Sequence, residues 1–192
     1  MVAAVGAAML AFAGTNLVYL LAAAMIGAEL FVIALCHDQG RMARVLSFLD
    51  PERFKDTVGW QPWNAVMALG SGKWTGVGLG HGRLKLGFIP EHHTDFIFSV
   101  IGEELGLVGC LLLIALFIVF IWRGSKIAVT AKDSLGAILA SGITAWIAIE
   151  AIINIGVMVA ALPFAGNTLP LISFGGSSLV VTLAGVGLLL SI

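Results

Sequence analysis

The 192 residues are 59% hydrophobic and 11% charged, with a mean hydropathy of +1.05, which excludes a water-soluble globule with an ordinary polar surface and indicates an integral membrane protein. Ten Lys and Arg against eleven Asp and Glu leave a net charge of -1, so no concentrated basic face points to nucleic acid. The two cysteines, Cys36 and Cys110, lie in apolar segments and form neither a disulfide framework nor a metal-ligand spacing.

Residues 1–36 are apolar apart from Thr15, Asn16 and Glu29, and as one helix would reach ~54 Å, well beyond a ~30 Å hydrocarbon core. A break at Gly14-Thr15-Asn16 is expected, leaving a first piece of about 13 residues, short of the ~20 that a span needs, and a full helix over about 17–36. No basic stretch precedes the first piece and the apolar pattern continues past Leu35, so it reads as membrane helix and not as a cleaved leader, and its shortness suggests that the chain begins inside a transmembrane segment, as a fragment would. Residues 37–94 hold all four histidines and seven of the ten Lys and Arg residues, and are too rich in Gly, Pro and charge to cross lipid. They predict one large loop, with short interfacial helices over Ala43–Phe48 and Pro62–Leu69 and with Trp60, Trp63 and Trp74 at headgroup level.

Helices are predicted over 95–122 and 135–162, joined by a short basic connection containing Arg123, Lys126 and Lys132. A loop over 163–177, with Pro163, Gly166, Pro170 and Gly175-Gly176, leads to a last helix over 178–192. The expected fold is thus a single all-α membrane domain over 1–192, a helical bundle of about four transmembrane segments around one large loop. The 37–94 segment is near the length at which the positive-inside rule loses force, so the Arg123/Lys126/Lys132 connection is the better cytoplasmic marker. It puts the loops over 37–94 and 163–177 on the outer face.

The stretch Phe88 to Gly109 brings titratable chemistry into a membrane helix, with two histidines and the four carboxylates of Glu91, Asp95, Glu103 and Glu104. Thr94 is the expected N-cap, with Asp95 in the first turn, where the helix dipole favours a carboxylate. Asp95, Ser99, Gly102, Gly106 and Gly109 fall within about 40° of one line, a small-residue face that suits either a cleft or a closely packed neighbour. Asp95 is read either as an N-terminal charge that stabilises its helix or as a general base for a sugar hydroxyl, a role that partial desolvation would favour. Glu91 is a second candidate carboxylate, while His92 and His93 suit hydrogen bonding better than metal ligation, because the Glu-His-His-Thr-Asp run lacks a ligand spacing. Glu103 and Glu104 are expected in a buried polar network with Glu150 and Asn154 of the following helix. The glycine-rich Gly70–Gly82 stretch, flanked by Lys73, Arg83 and Lys85, reads as a turn-rich loop or a cradle for a pyrophosphate.

The run from Lys85 through Pro90-Glu-His-His-Thr-Asp95 to Gly109 closely resembles the SEDS family of bacterial cell-wall polymerases, FtsW, RodA and SpoVE. Arg44-Val-Leu-Ser-Phe-Leu-Asp-Pro51, Ala68–Gly72 with Gly76–Gly80, Asn154-Ile-Gly-Val157 and Leu169–Ser178 agree with it in family order, and the Thr168–Ser173 context leans toward the division-type FtsW branch. The resemblance implies a ten-helix bundle of which this chain supplies the end of helix six through helix ten, in the bacterial inner membrane with the large loop outside. It implies polymerisation of lipid II, with Asp95 activating the acceptor 4-hydroxyl and Lys85, Glu91, His93, Thr94, Arg44, Ser173 and Ser177 binding substrate. A divalent cation, Mg2+, is expected at the pyrophosphate, and a class B penicillin-binding protein is expected as partner. Glu150 stands where the family usually has glutamine and Phe174 where tyrosine is common, and the family's Pro-Asp-Leu-Gly segment is absent. Two other readings stay open: a lipid II flippase using Glu103, Glu104, Glu150 and Asn154 as a midplane path, and a non-catalytic scaffold for the penicillin-binding protein.

Overall fold

The computed structural model describes residues 2–82 and 94–192, the side chains of Leu35 and Cys36 excepted, and every regular element among them is helical. The first apolar run is broken as its length requires, into α1 (Val2–Phe12) and α2 (Leu17–His37). Gly14 takes a positive φ of 82° in the connection, and the Asn16 side chain accepts from the Val18 amide to cap α2. No described side chain of α2 is buried, and Tyr19, Met25, Phe31 and Ile33 all point outward. A helix apolar on every side save at Glu29 belongs in lipid or among other helices.

Residues 38–82 are more ordered than one loop with two short helices would suggest. They form α3 (Gln39–Leu49), capped by the Asp38 carboxylate, a single turn α4 (Pro51–Phe54) with proline at its start, and α5 (Trp60–Ser71). Three further helices complete the chain: α6 (Ile97–Thr130), α7 (Ser134–Met158) and α8 (Gly176–Ser191). The helix expected over 95–122 therefore starts two residues later and runs eight residues further, and Arg123 and Lys126 lie on it, leaving Lys132 alone of the three in the connection. Arg and Lys are good helix formers, and both cations stack on Trp122, at 5.4 and 5.9 Å from its ring centroid. Where 135–162 was expected, α7 ends at Met158, and α8 begins at Gly176 where 178 was expected. Helices α2, α6 and α7 contain stretches long and apolar enough to cross a membrane, and the chain is a multi-pass membrane protein.

As one uninterrupted rod α6 would measure ~51 Å, but it is broken at Gly106, whose φ of 67° and ψ of -164° are open only to glycine. The glycine-rich loop after α5 enters this break. The Val77 and Gly78 amides donate to the Glu103 and Glu104 carbonyls at 3.0 and 3.1 Å, and the Leu107 and Val108 amides donate to the Lys73 and Trp74 carbonyls at 2.9 and 3.2 Å. Irregular backbone is tolerated at a membrane helix when protein groups satisfy it in this way. The approach needs glycine on both sides: a Cβ on Gly72 would be driven into the Gly102 carbonyl, and one on Gly76 into the Glu104 peptide. The small-residue face read from the sequence is thus closely packed at Gly102 and Gly106, and Gly106 also borders an apolar cavity of about 560 Å3 with Lys73, Trp74 and Cys110. Below the break, α6 packs along α7 in one buried apolar cluster that includes Cys110, Leu113, Phe117 and Ala128 of α6 and Ala140, Ile147 and Ala151 of α7, and Gly124 lets the two helices close at Thr144.

Candidate functional site

Asp95 lies in a turn, not in the first turn of α6. The helix starts at Ile97, and its N-cap position is taken by Phe96, which offers no side-chain cap. Tertiary contacts hold this turn where a local cap was expected from Thr94. The Ser173 hydroxyl donates to the Thr94 carbonyl at 2.5 Å and accepts from the Leu169 amide at 2.7 Å. The Asn154 amide nitrogen donates to the Asp95 carbonyl at 2.9 Å and to the Asn167 carbonyl at 2.6 Å. Phe96 is buried and stacks on Phe164 with ring centroids 5.4 Å apart and planes 8° from parallel.

The 159–175 connection between α7 and α8 wraps this turn. Gly166 lies against the Asp95 carboxylate, since a Cβ there would stand 3.0 Å from Oδ2. Leu169 is buried, and Leu171 keeps a left-handed φ of 67°, a strained conformation for a branched residue that the surrounding packing maintains. The Arg44 guanidinium sits over the Phe164 ring, 5.9 Å from its centroid. Arg44, Asp56, Thr57, Trp60, Gln61 and Phe164 line an open cleft of about 540 Å3. A half-buried carboxylate therefore lies one loop away from a cleft that combines a cation, a carboxylate, an amide and an indole, groups suited to a polar ligand with sugar faces.

The four intramembrane polar residues divide into two groups in their described hydrogen bonds. Glu103 and Glu104 are buried and turn toward the glycine-rich loop, with the Gly80 amide donating to Glu104 Oε2 at 3.1 Å and Gly82 set against both carboxylates. Asn154 belongs to the Asp95 turn, and Glu150, one turn earlier on α7, lies near the Trp146 and Thr168 side chains. The carboxylate pair is held by the loop that fills the α6 break, which periodicity along a helix does not report.

Thr94, Asp95, Asn154 and Ser173 are brought together across 59 and 79 residues of chain. Arg44 joins them through Phe164, and Ser177 is exposed in the first turn of α8. Lys85, Glu91, His92 and His93 lie outside the described residues. Among the described residues no three His, Cys, Asp or Glu side chains gather to hold a cation. Phe96, Phe164, Gly166 and Asn167 shape the site without having been singled out, and the only sequence signal was the Pro163/Gly166/Pro170 punctuation of their loop.

A family profile described as "Cell cycle protein", for FtsW, RodA and SpoVE, matches residues 1–192. The chain is 43% identical over 190 residues to a protein named probable peptidoglycan glycosyltransferase FtsW of Trichlorobacter lovleyi, covering 99% of this chain and 50% of that one. A protein of the same name from Nitrosococcus halophilus is 47% identical over 177 residues, covering 91% of this chain and 46% of the relative. Among solved structures, a chain of a peptidoglycan synthase complex, studied for its coordination of polymerization and crosslinking, matches with a TM-score of 0.70 at 31% identity, over 90% of this chain and 47% of the other. The chain spans about half the length of the curated relatives it matches.

Proposed function

We propose that this chain, which belongs to the FtsW/RodA/SpoVE family of cell cycle proteins, forms the catalytic part of a peptidoglycan glycosyltransferase that polymerises lipid II into glycan strands in cell division or shape maintenance. The observation that carries the proposal is Asp95: a half-buried carboxylate in a turn gripped from two other elements, one loop away from a polar, aromatic-lined cleft. In this reading the Asp95 carboxylate takes the proton of the acceptor sugar's 4-hydroxyl as that oxygen bonds to the donor's anomeric carbon. The anomeric C–O bond breaks, and undecaprenyl pyrophosphate leaves with the bonding electrons. Asp95 then carries the proton, to be returned to solvent before the next cycle.

Arg44 is assigned to the charged or sugar portion of lipid II at the cleft, with Lys85, Glu91, His93 and Ser177 as further substrate contacts. The described part of the site does not build a cation cage; Mg2+ enters the proposal only as a counter-ion held chiefly by the pyrophosphate, and no step here runs through it. The site faces the outer side of the inner membrane in this proposal. A class B penicillin-binding protein is the proposed partner, in keeping with the likeness to a chain of a peptidoglycan synthase complex.

The test is polymerisation of purified lipid II by the full-length protein, read as glycan strands on a gel. Asp95→Asn keeps the side-chain shape and removes the base, and is expected to lower polymerisation by about 10²–10⁴-fold while the protein still inserts. Retained polymerisation by Asp95→Asn would reject Asp95 as the base.

A further inference from the structure

We propose that Asn154 and Ser173 are positioning residues for the reaction, acting through the backbone of Asp95; this inference rests on the reading of Asp95 as the base. The direction in which the Asp95 Cα–Cβ bond points is set by the two peptide planes on either side of it. One carries the Thr94 carbonyl and the other the Asp95 carbonyl. Ser173 Oγ holds the first at 2.5 Å and Asn154 Nδ2 holds the second at 2.9 Å. Fixing both planes fixes φ and ψ of Asp95 together, so the two tethers determine where its carboxylate is presented.

The tethers are themselves anchored. Ser173 lies in the loop after α7, is 4% exposed, and accepts from the Leu169 amide; its single hydroxyl proton is committed to Thr94, so it has none to donate to a ligand. Asn154 is on α7 and 1% exposed, and its two amide protons go to the Asp95 and Asn167 carbonyls. Because both partners are carbonyls, the nitrogen end of the amide must face them, which settles its orientation. Asn154 Oδ1 is buried without a hydrogen-bond partner among the described residues. An amide with one end unpaired is a costly way to fill space where leucine would fit, and a requirement for the donor pair explains its use. Asn154 also ties the Asp95 turn to Asn167, one residue beyond the Gly166 that lies against the carboxylate, so turn and loop are held as one unit.

The experiment compares Asn154→Leu, Ser173→Ala, Ser173→Thr and Asp95→Asn in the full-length polymerase, reconstituted in lipid with purified lipid II, reading kcat, KM and the melting temperature. Positioning predicts that Asn154→Leu and Ser173→Ala lower kcat by about 10²-fold with KM for lipid II little changed, since misplacement of order 1 Å costs that much. Ser173→Thr keeps the hydroxyl and is expected to restore most of kcat. Parental kcat in folded Asn154→Leu and Ser173→Ala, or a loss wholly in KM, overturns the inference. Should Asn154→Leu fail to fold, the Ser173→Ala and Ser173→Thr pair decides alone. Failure of the underlying reading is distinguishable: Asp95→Asn would then polymerise normally, whereas an inactive Asp95→Asn beside fully active tether variants removes only the positioning role.

Discussion

Replacing Gly76 by alanine tests whether the glycine-rich loop is seated in the break of α6. Gly76 has a φ of 77°, and a left-handed conformation costs a non-glycine residue ~1–2 kcal/mol. A Cβ there would also press into the Glu104 carbonyl and stand 2.6 Å from the Leu105 nitrogen, both backbone atoms that cannot rotate aside. Overpacking of this kind costs a further ~1–3 kcal/mol. The total of ~2–5 kcal/mol is a large part of the ~5–15 kcal/mol that holds an ordinary domain together. Gly80 supplies a matched control, with a φ of 85° and nothing within 4 Å of an added Cβ, so Gly80→Ala carries the strain without the collision. Thermal unfolding of the purified protein in detergent should therefore rank parent, Gly80→Ala and Gly76→Ala in falling stability. Amide hydrogen exchange should quicken at Leu107 and Val108, whose partners are the Lys73 and Trp74 carbonyls. Equal melting of the two variants would refute the seating of the loop against α6.

Phe164→Ala removes the ring stacked on Phe96 and the platform under Arg44, and should cost ~2 kcal/mol, less than the ~3–5 kcal/mol of a fully buried phenylalanine, as measured by unfolding. In the full-length protein the same change should raise KM for lipid II by freeing Arg44. At the α6–α7 contact, a Cβ on Gly124 would meet Thr144 Cγ2 at 2.8 Å, so Gly124→Ala is expected to destabilise by ~1–3 kcal/mol. Combined with Thr144→Ala it should cost less than the two changes separately, a coupling of ~0.5–3 kcal/mol readable in a double-mutant cycle.

What was legible in the sequence was what local chemistry and solvent impose. Apolar runs of span length, the impossibility of threading residues 37–94 through lipid, and the break before Asn16 follow from hydropathy, Gly and Asn, each acting over a few residues. Asp95 stood out because a carboxylate where a membrane helix begins is costly unless it serves a purpose. Less legible was the end of α6: Arg123 and Lys126 read as a connection, yet long cationic side chains stay compatible with helix by reaching along an aromatic neighbour. Only the tertiary structure decided what surrounds the aspartate. Asn154, 59 residues away, and Ser173, 79 residues from Thr94, meet its turn because α7 and the loop after it pack against the start of α6. The described contacts of Glu103 and Glu104 with Gly80 and Gly82 were likewise decided by a loop entering a helix break. Hydrogen bonds between distant segments leave no periodic trace in the chain, so Asp95 could be marked as a candidate from its position, and as a base only through the family resemblance, while the groups that hold its turn had to be found in space.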